Sequence, residues 1–561
     1  MKLFYPLYIS NEIIITYGIH PFNICSKNPQ LWEYIKISYI VTFIFSNLVY
    51  SNFIYTRILT KFQFLNNIKY NKKSLKFSKN NDFPIQNHTN KELKLLIGCI
   101  SDNPHQNIYI PENGLYQNFL ITGTIGSGKT SSAMYPFTKQ LLEFNYKNPD
   151  KKIGMLILDV KGNYYQQIKK YAENYNLIKD LIVIELNSNV FYNPLHKPNL
   201  KPQVLANRIK TILTLFSENN TESYWLDKAE SIITECIKLC RLYNKGYVTF
   251  LELHKLVTLP NYYKEKISIL RDLFISSKLN SNQIYELNAS LDFFQKEFEN
   301  LDSRTKSILI SEITRITNTF ITDYDVMSTF SSPLEKLTFT GFDEVIEKGK
   351  IVVLNMNISE YNLLSKIIAT YLKLDFQTEI MSNLSANTQK TTAFICDEYD
   401  KYATKTDGEF FSLSREAKCI NIISTQSYSS LKTTLKDDSH VKVIVQNLIN
   451  KIWFRTDDIY TIEEAQKQLG KEEKERISKS ISESAKETKF SYITNTLNSK
   501  NSNISETYNT YFQNDYIFDT NFFTQNLETF TAITFLSDGN KIFPPCKTKM
   551  FPYFNKNIRK D

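Results

Sequence analysis

The segment Gly123-Thr124-Ile125-Gly126-Ser127-Gly128-Lys129-Thr130 satisfies G-x-x-x-x-G-K-[ST] at every fixed position. The pattern constrains the fold because it works only where a strand runs into a glycine loop that opens a helix. Residues 118–122, Asn-Phe-Leu-Ile-Thr, read as a short buried strand, and 131–144 have helix-compatible apolar spacing despite Pro136. Glycines let the backbone curl so that successive N–H groups face phosphates, and the helix N-terminus adds the positive end of its dipole. On this reading Gly123 to Thr130 hold a nucleotide. Lys129 reaches its β and γ phosphates, and the Thr130 hydroxyl ligates Mg²⁺.

A second half-site separates hydrolases from simple kinases. Residues 391–396 form an apolar strand that ends at Asp397-Glu398. An aspartate there can hold the Mg²⁺ shell, and an adjacent glutamate can orient and deprotonate the attacking water. Paired carboxylates at this place favour hydrolysis coupled to mechanical work. The next strand, Ile420-Asn421-Ile422-Ile423-Ser424, ends near Gln426. That amide reads either as a γ-phosphate sensor or as a solvated loop residue. Arg415, between the two strands, is either an arginine finger offered to a neighbouring subunit or a surface residue.

Further strands recur at 153–158, 181–184, 351–354 and 451–454, with helical pattern between them. The alternation predicts an α/β fold with a mostly parallel sheet covered by helices on both faces. At 561 residues the chain exceeds one ordinary domain. From 203 to 335 the pattern is helical throughout, which predicts an all-helical insertion. The nucleotide-binding domain is then discontinuous, 76–202 and 336–561. Residues 471–476 read as a solvated helix end and the rest, to about 510, as a flexible surface excursion. Residues 529–543, with Asp538-Gly539 near the centre, read as a closing hairpin.

Residues 1–75 read as a membrane anchor. The 19 residues 37–55 carry no charge, long enough to cross a bilayer as a helix, although Ser38, Thr42, Ser46, Asn47, Ser51 and Asn52 weaken the pattern. Arg57, Lys61, Lys69, Lys72, Lys73, Lys76 and Lys79 follow, which places the remainder in the cytoplasm. An earlier apolar stretch, 3–17, is either a first span or an interfacial segment. Charged residues make up 22% and hydrophobic ones 42%, which excludes a disordered polyelectrolyte and a multi-span transporter. The net charge of +9 fits nucleic acid or an anionic membrane surface and is diagnostic of neither. Seven cysteines imply no disulfide framework and a reducing compartment. Cys236 and Cys240 fall on the apolar face of a helix with Ala229, Ile232, Ile233 and Ile237, as buried core.

The chain resembles the TraG/TraD family of type IV secretion coupling proteins over roughly residues 95–555. The likeness rests on several motifs in order. They are the phosphate loop with Pro136, Asp159-Val160-Lys161-Gly162-Asn163 (similar to the family's Asp-Pro-Lys-Gly-Glu), Asn193-Pro194-Leu195, Trp225-Leu226-Asp227-Lys228-Ala229, Asp397-Glu398, and the closing strands within 527–551. Val160 and Asn163 depart from the family pattern, so any role of its glutamate is absent. Lys161 is retained, as a lysine near phosphate or as a solvated turn. The resemblance implies a RecA-like, membrane-anchored, hexameric ATPase of the bacterial cytoplasmic membrane that takes ATP and Mg²⁺. It puts Arg415 and Gln426 where the family's trans arginine and phosphate-sensing glutamine lie. The implied partners are DNA (contacted at its backbone), a relaxase or relaxosome and the secretion channel. The implied function is delivery of a DNA–relaxase substrate during conjugation. An ATP-gated docking receptor and a protein-translocating ATPase are the other readings.

Overall fold

A computed structural model describes residues 29–54, 92–216, 223–259, 261–275, 280–356, 358–382, 384, 390–491 and 496–554. The chain divides into two units, 1–81 and 82–561. In the first, helix α1 (Pro29–Ile54) contains 26 residues, so it is about 39 Å long. It begins eight residues before the uncharged run. Ile37, Val41, Phe45 and Leu48 are exposed on it, while Thr42 and Asn47 hydrogen-bond to the carbonyls of Ser38 and Phe43 one turn back. No helix among the described residues is long and apolar enough to cross a membrane. The expected span over 37–55 is therefore not found: α1 has the length, but Ser38, Thr42, Ser46, Asn47, Ser51 and Asn52 dilute its apolar content. The stretch 3–17 and the cations from Arg57 to Lys79 lie outside the described residues.

The second unit is built on one eleven-stranded sheet. Its members are β1 (Lys94–Ile100), β2 (Asn103–Pro111), β3 (Phe119–Thr122), β4 (Gly154–Leu158), β5 (Leu181–Ile184), β6 (Ile351–Leu354), β7 (Thr392–Cys396), β8 (Cys419–Thr425), β9 (Asn450–Phe454), β12 (Thr531–Phe535) and β13 (Cys546–Met550). The order is β2-β1-β13-β12-β9-β3-β8-β7-β4-β6-β5. From β9 to β5 every pairing is parallel; β12, β13, β1 and β2 add an antiparallel flank. The parallel strands are short apolar runs because both faces are covered. In β3, Leu120 joins one core, while Phe119 and Ile121 join the core on the opposite face.

Helices cover both faces. On one, α2 (Tyr135–Glu143) and α3 (Asn163–Asn174) pack Phe137, Leu141, Tyr164 and Ile168. The other face meets the helical stretch between β5 and β6. There lie α4 (Pro202–Phe216), α5 (Ser223–Tyr243), α6 (Phe250–Thr258), α7 (Tyr262–Ile275), α8 (Ser281–Asp292), α9 (Ser303–Ile321), α10 (Tyr324–Phe330) and α11 (Phe342–Lys348). Their starts are written locally: Thr249 caps α6, Asn280 and Gln283 form a capping box on α8, and Asp302 and Asp323 cap α9 and α10. Cys236 and Cys240 are buried on α5, and burial pushes both thiols up, Cys240 to about 12. This stretch shares one continuous core with the sheet and with α12 (Ile358–Ser382).

The hinge of that core is ionic. Asp375 on α12 is fully enclosed and accepts bonds from Lys197 Nζ at 2.7 Å, Arg208 on α4 at 2.7 Å and the Tyr192 hydroxyl at 2.6 Å. Burial raises its carboxyl, but the two cations hold it below the ordinary range. Asn193 ties the Asn-Pro-Leu turn to the Val248 carbonyl at 2.8 Å.

Further helices follow α12: α13 (Asp407–Leu413), α14 (Tyr428–Leu435), α15 (Asp438–Asn447) and α16 (Ile459–Leu469), the last of which stops at Gly470. Beyond α16 the chain is not the solvated helix end expected from its composition, and the surface excursion expected after it is built of strands. Strands β10 (Lys471–Ser491) and β11 (Thr496–Tyr516) pair antiparallel there as a separate two-stranded ribbon. Residues facing one side alternate with those facing the other: Ile477, Ile481, Tyr508 and Phe512 share one face, and Ser478, Ser480, Thr507 and Asn509 the other. That period of two was masked in the sequence by the lysines and glutamates around it. The hairpin at 529–543 is redrawn too: β12 pairs with β13, beyond a small turn at Asp538-Gly539.

Candidate nucleotide site

Strand β3 is enclosed on both faces and ends at Thr122, where the glycine loop begins. Gly123 (φ +154°) lies so close to β9 that a Cβ there would come within 2.6 Å of Phe454 Cβ. Thr124 fixes that side by donating its N–H to the Arg455 carbonyl at 2.8 Å. Ile125 is the exposed crest of the loop. Gly126 and Gly128 have positive φ, and Ser127 Oγ donates to the Thr124 carbonyl at 2.8 Å. A π-helical turn, Thr130–Met134, leads into α2. Pro136 falls in the first turn of α2, where its missing N–H costs little.

Lys129 is 8% exposed, and its Nζ donates to the carbonyls of Gly123 and, at 3.2 Å, Thr124. Burial pulls its ammonium below the ordinary range, while the charges of Asp397 and Glu398 oppose that pull. Thr130 Oγ1 donates to Asp397 Oδ2 at 2.7 Å. The two half-sites expected from the sequence therefore touch, because β7 and β3 flank β8 in one parallel sheet. Asp397 also accepts from Ser424 Oγ on β8 and from the Glu398 N–H at 3.1 Å.

Glu398 adopts a left-handed backbone (φ +50°), uncommon for a side chain of its size. The segment from Tyr399 to Asp407 is locked into place and holds Glu398 in that conformation. Lys373, fully buried on α12, binds Asp407, the Thr404 hydroxyl and the Tyr402 carbonyl, and Tyr399 donates to Asp407. Glu398 Oε1 lies 2.7 Å from Lys161 Nζ. Of the two readings of Lys161, the structure thus favours the one near the site. Burial alone lowers the Lys161 ammonium, but the Glu398 contact carries it above its ordinary value. Gln426 is half-buried directly after β8, between the glycine loop's strand and the Asp-Glu strand. Arg415 is exposed in the turn that leads into β8. It lies at the opposite end of that seven-residue strand, about 20 Å from its own glycine loop.

Three nearby residues receive no role at the site from sequence reasoning. Asp159, 4% exposed, accepts from the N–H groups of Lys161 and Tyr164, and burial, then the Asp397 charge, raises its carboxyl. Ser424 steadies Asp397. Phe530 donates its N–H to the Ser127 carbonyl at 3.1 Å. Only Asp159 had a local signal, as the first residue of the Asp-Val-Lys-Gly-Asn turn.

This arrangement is that of a P-loop NTPase, and the comparisons with known proteins agree. The fold is similar to the bacterial conjugative coupling protein TrwBdeltaN70 in its unbound form. The TM-score is 0.52 and the identity 13%, over 79% of this chain and 87% of that one. The plasmid coupling protein TrwB in complex with ADP and Mg²⁺ gives the same four figures. TrwB with the ATP analogue ADPNP gives 0.51 and 12%, over 80% and 88%. A comparison with curated protein sequences gives no match. Residues 391–510 match the family model described as the TraM recognition site of TraD and TraG. The resemblance to the TraG/TraD coupling proteins is thereby borne out, in sequence over 391–510 and in fold over most of the chain.

Proposed function

We propose that this chain is the coupling ATPase of a conjugative type IV secretion system. On this reading it hydrolyses ATP to deliver a relaxase-bound DNA strand to the secretion channel. The observation that carries the reading is the 2.7 Å contact between Thr130 and Asp397 beside the buried Lys129, within a coupling-protein fold. The hydroxyl and carboxylate oxygens are hard donors, so the pair fits Mg²⁺. When bound, that ion neutralises charge on the β and γ phosphates.

Each side chain then has a task. The N–H groups from Gly126 to Thr130 bind phosphate, and Lys129 leaves its two carbonyl partners for the phosphate oxygens. Glu398 accepts a proton from the attacking water at Oε1, which requires that atom to part from Lys161. Gln426, next to both strands, senses the γ phosphate. Arg415 lies at the far end of β8 from its own site, and so serves the nucleotide of a neighbour in a hexameric ring. The helical stretch meets the cargo, and DNA is held at its backbone, with salt-sensitive affinity. Attachment to the bacterial cytoplasmic membrane through the amino-terminal unit, with the ATPase body in the cytoplasm, completes the proposal. Its support is the apolar surface of α1 and the cations after it.

The test is ATP hydrolysis by the full-length protein in detergent, with and without single- and double-stranded DNA, beside Lys129→Ala. DNA-stimulated turnover lost in the variant is the expected result. Nucleotide binding without any DNA effect would move the assignment to a docking receptor or a protein-translocating ATPase.

A further inference from the structure

We propose that Phe530, Tyr553 and Phe554 form the seat of the nucleobase, a stacking platform that holds purines with little discrimination. The proposal rests on the nucleotide reading of the site and adds to it where the base lies. Topology supplies the direction. Asp397 and Glu398, which serve the γ phosphate, lie on the β8–β7 side of β3. The rest of the nucleotide must leave the loop the other way, toward β9, β12 and β13. Strand β12 is antiparallel to β9 and starts, just after Phe530, at the edge of the sheet where β3 ends. Strand β13 returns to that edge, and Tyr553 and Phe554 follow its end by three and four residues.

Two of the three rings are tethered to the loop and the helix it opens by backbone bonds, and the third packs against both. Phe530 takes a left-handed conformation (φ +64°), costly for an aromatic residue. Its N–H binds the Ser127 carbonyl at 3.1 Å and its carbonyl accepts from Met550 at 2.7 Å. Its ring lies against Gly128, where a Cβ would come within 2.6 Å of Cδ1. Tyr553 donates its N–H to the carbonyl of Ser131, the residue after the motif, at 2.8 Å. Phe554 meets Phe530 edge-on at 5.8 Å and Tyr553 at 5.4 Å. Yet Tyr553 is 45% and Phe554 57% exposed. Exposed rings fixed so firmly beside a phosphate loop offer a π-face of the kind any base can stack on.

The experiment measures binding of Mg·ATP, Mg·GTP and Mg·tripolyphosphate to the full-length chain by calorimetry. The variants are Phe554→Ala, Tyr553→Ala, the double substitution and Phe554→Trp. The seat requires ATP and GTP affinities within a few-fold of each other. The double variant should lose about tenfold to a hundredfold for both and leave tripolyphosphate unchanged, whereas Phe554→Trp should keep the parent's affinity. If the parent binds ATP and the alanine variants bind it equally well, the seat is wrong. It is equally wrong if they lose ATP and tripolyphosphate in parallel. A parent chain that binds neither ligand would overturn the nucleotide reading itself.

Discussion

Lys451 in β9 is 2% exposed, and burial alone pushes its ammonium down to about 8. The unfolded chain binds its proton up to about pH 10.4. Below pH 8 both states are protonated and the folded one bears the desolvation. Between pH 8 and 10.4 only the unfolded state is protonated, so this residue's penalty fades as pH rises. Lys451→Met should therefore stabilise the protein at pH 7, by at most on the order of 3 kcal/mol. The gain over the parent, read from urea unfolding, should shrink steadily toward pH 10. At the catalytic carboxylate, Glu398→Gln should keep ATP affinity and lower turnover about 10² to 10⁴-fold, the usual worth of a general base. A variant that turns over normally would move the base elsewhere. Motif chemistry made Lys129, Thr130 and Asp397 legible, since each occupies a fixed place in its own strand-end segment. Ser424 and Phe530 were not legible: their partners Asp397 and Ser127 become neighbours only through strand pairing.

Between elements, the ties that matter are ionic and buried. Removing Asp375 leaves Lys197 and Arg208 enclosed without a counter-charge, so Asp375→Ala should cost about 3–5 kcal/mol. Chemical denaturation would show it as a lower midpoint, since helix α4 and helix α12 share that carboxylate. The ribbon is the opposite case. Its base is clasped where Lys474 Nζ reaches the carbonyls of Tyr516 and Ile517, and where Phe518 packs with Trp453 and Leu469. Past that clasp its two strands pair with each other as a separate sheet, and an isolated hairpin contributes little stability. Replacing residues 477–510 by a two-residue turn should leave the melting temperature of the body unchanged. A large drop would mean that the ribbon packs on the body. The parallel strands were legible because short apolar runs alternate with helical spacing. The ribbon was not, because Lys, Glu and Ser dominate the first strand and Asn, Ser and Thr the second, which conceals a period of two.

At the scale of the molecule, a lone protomer carries a glycine loop at one edge of its sheet and Arg415 at the other. If the arginine acts across an interface, Arg415→Ala should bind ATP normally and lose about 10³ to 10⁵ in turnover. Mixing it with Glu398→Gln should restore part of the rate, because some interfaces then unite an intact base with a neighbour's intact arginine. No recovery in mixed assemblies would argue against action in trans. The strand order carries a further consequence, for synthesis. Strand β3 is flanked by β8 and β9, and β9 begins at Asn450, roughly 330 residues after Phe119. At about 5–20 residues per second, the ribosome needs some tens of seconds to deliver that partner. Throughout that interval Phe-Leu-Ile-Thr lacks its full pair of neighbours, whereas α5, α6 and α9 can assemble from sequence already translated. The phosphate loop is thus written early and built late. A nascent chain halted before residue 450 should engage chaperones and fail to retain nucleotide, though the motif itself has long since left the exit tunnel.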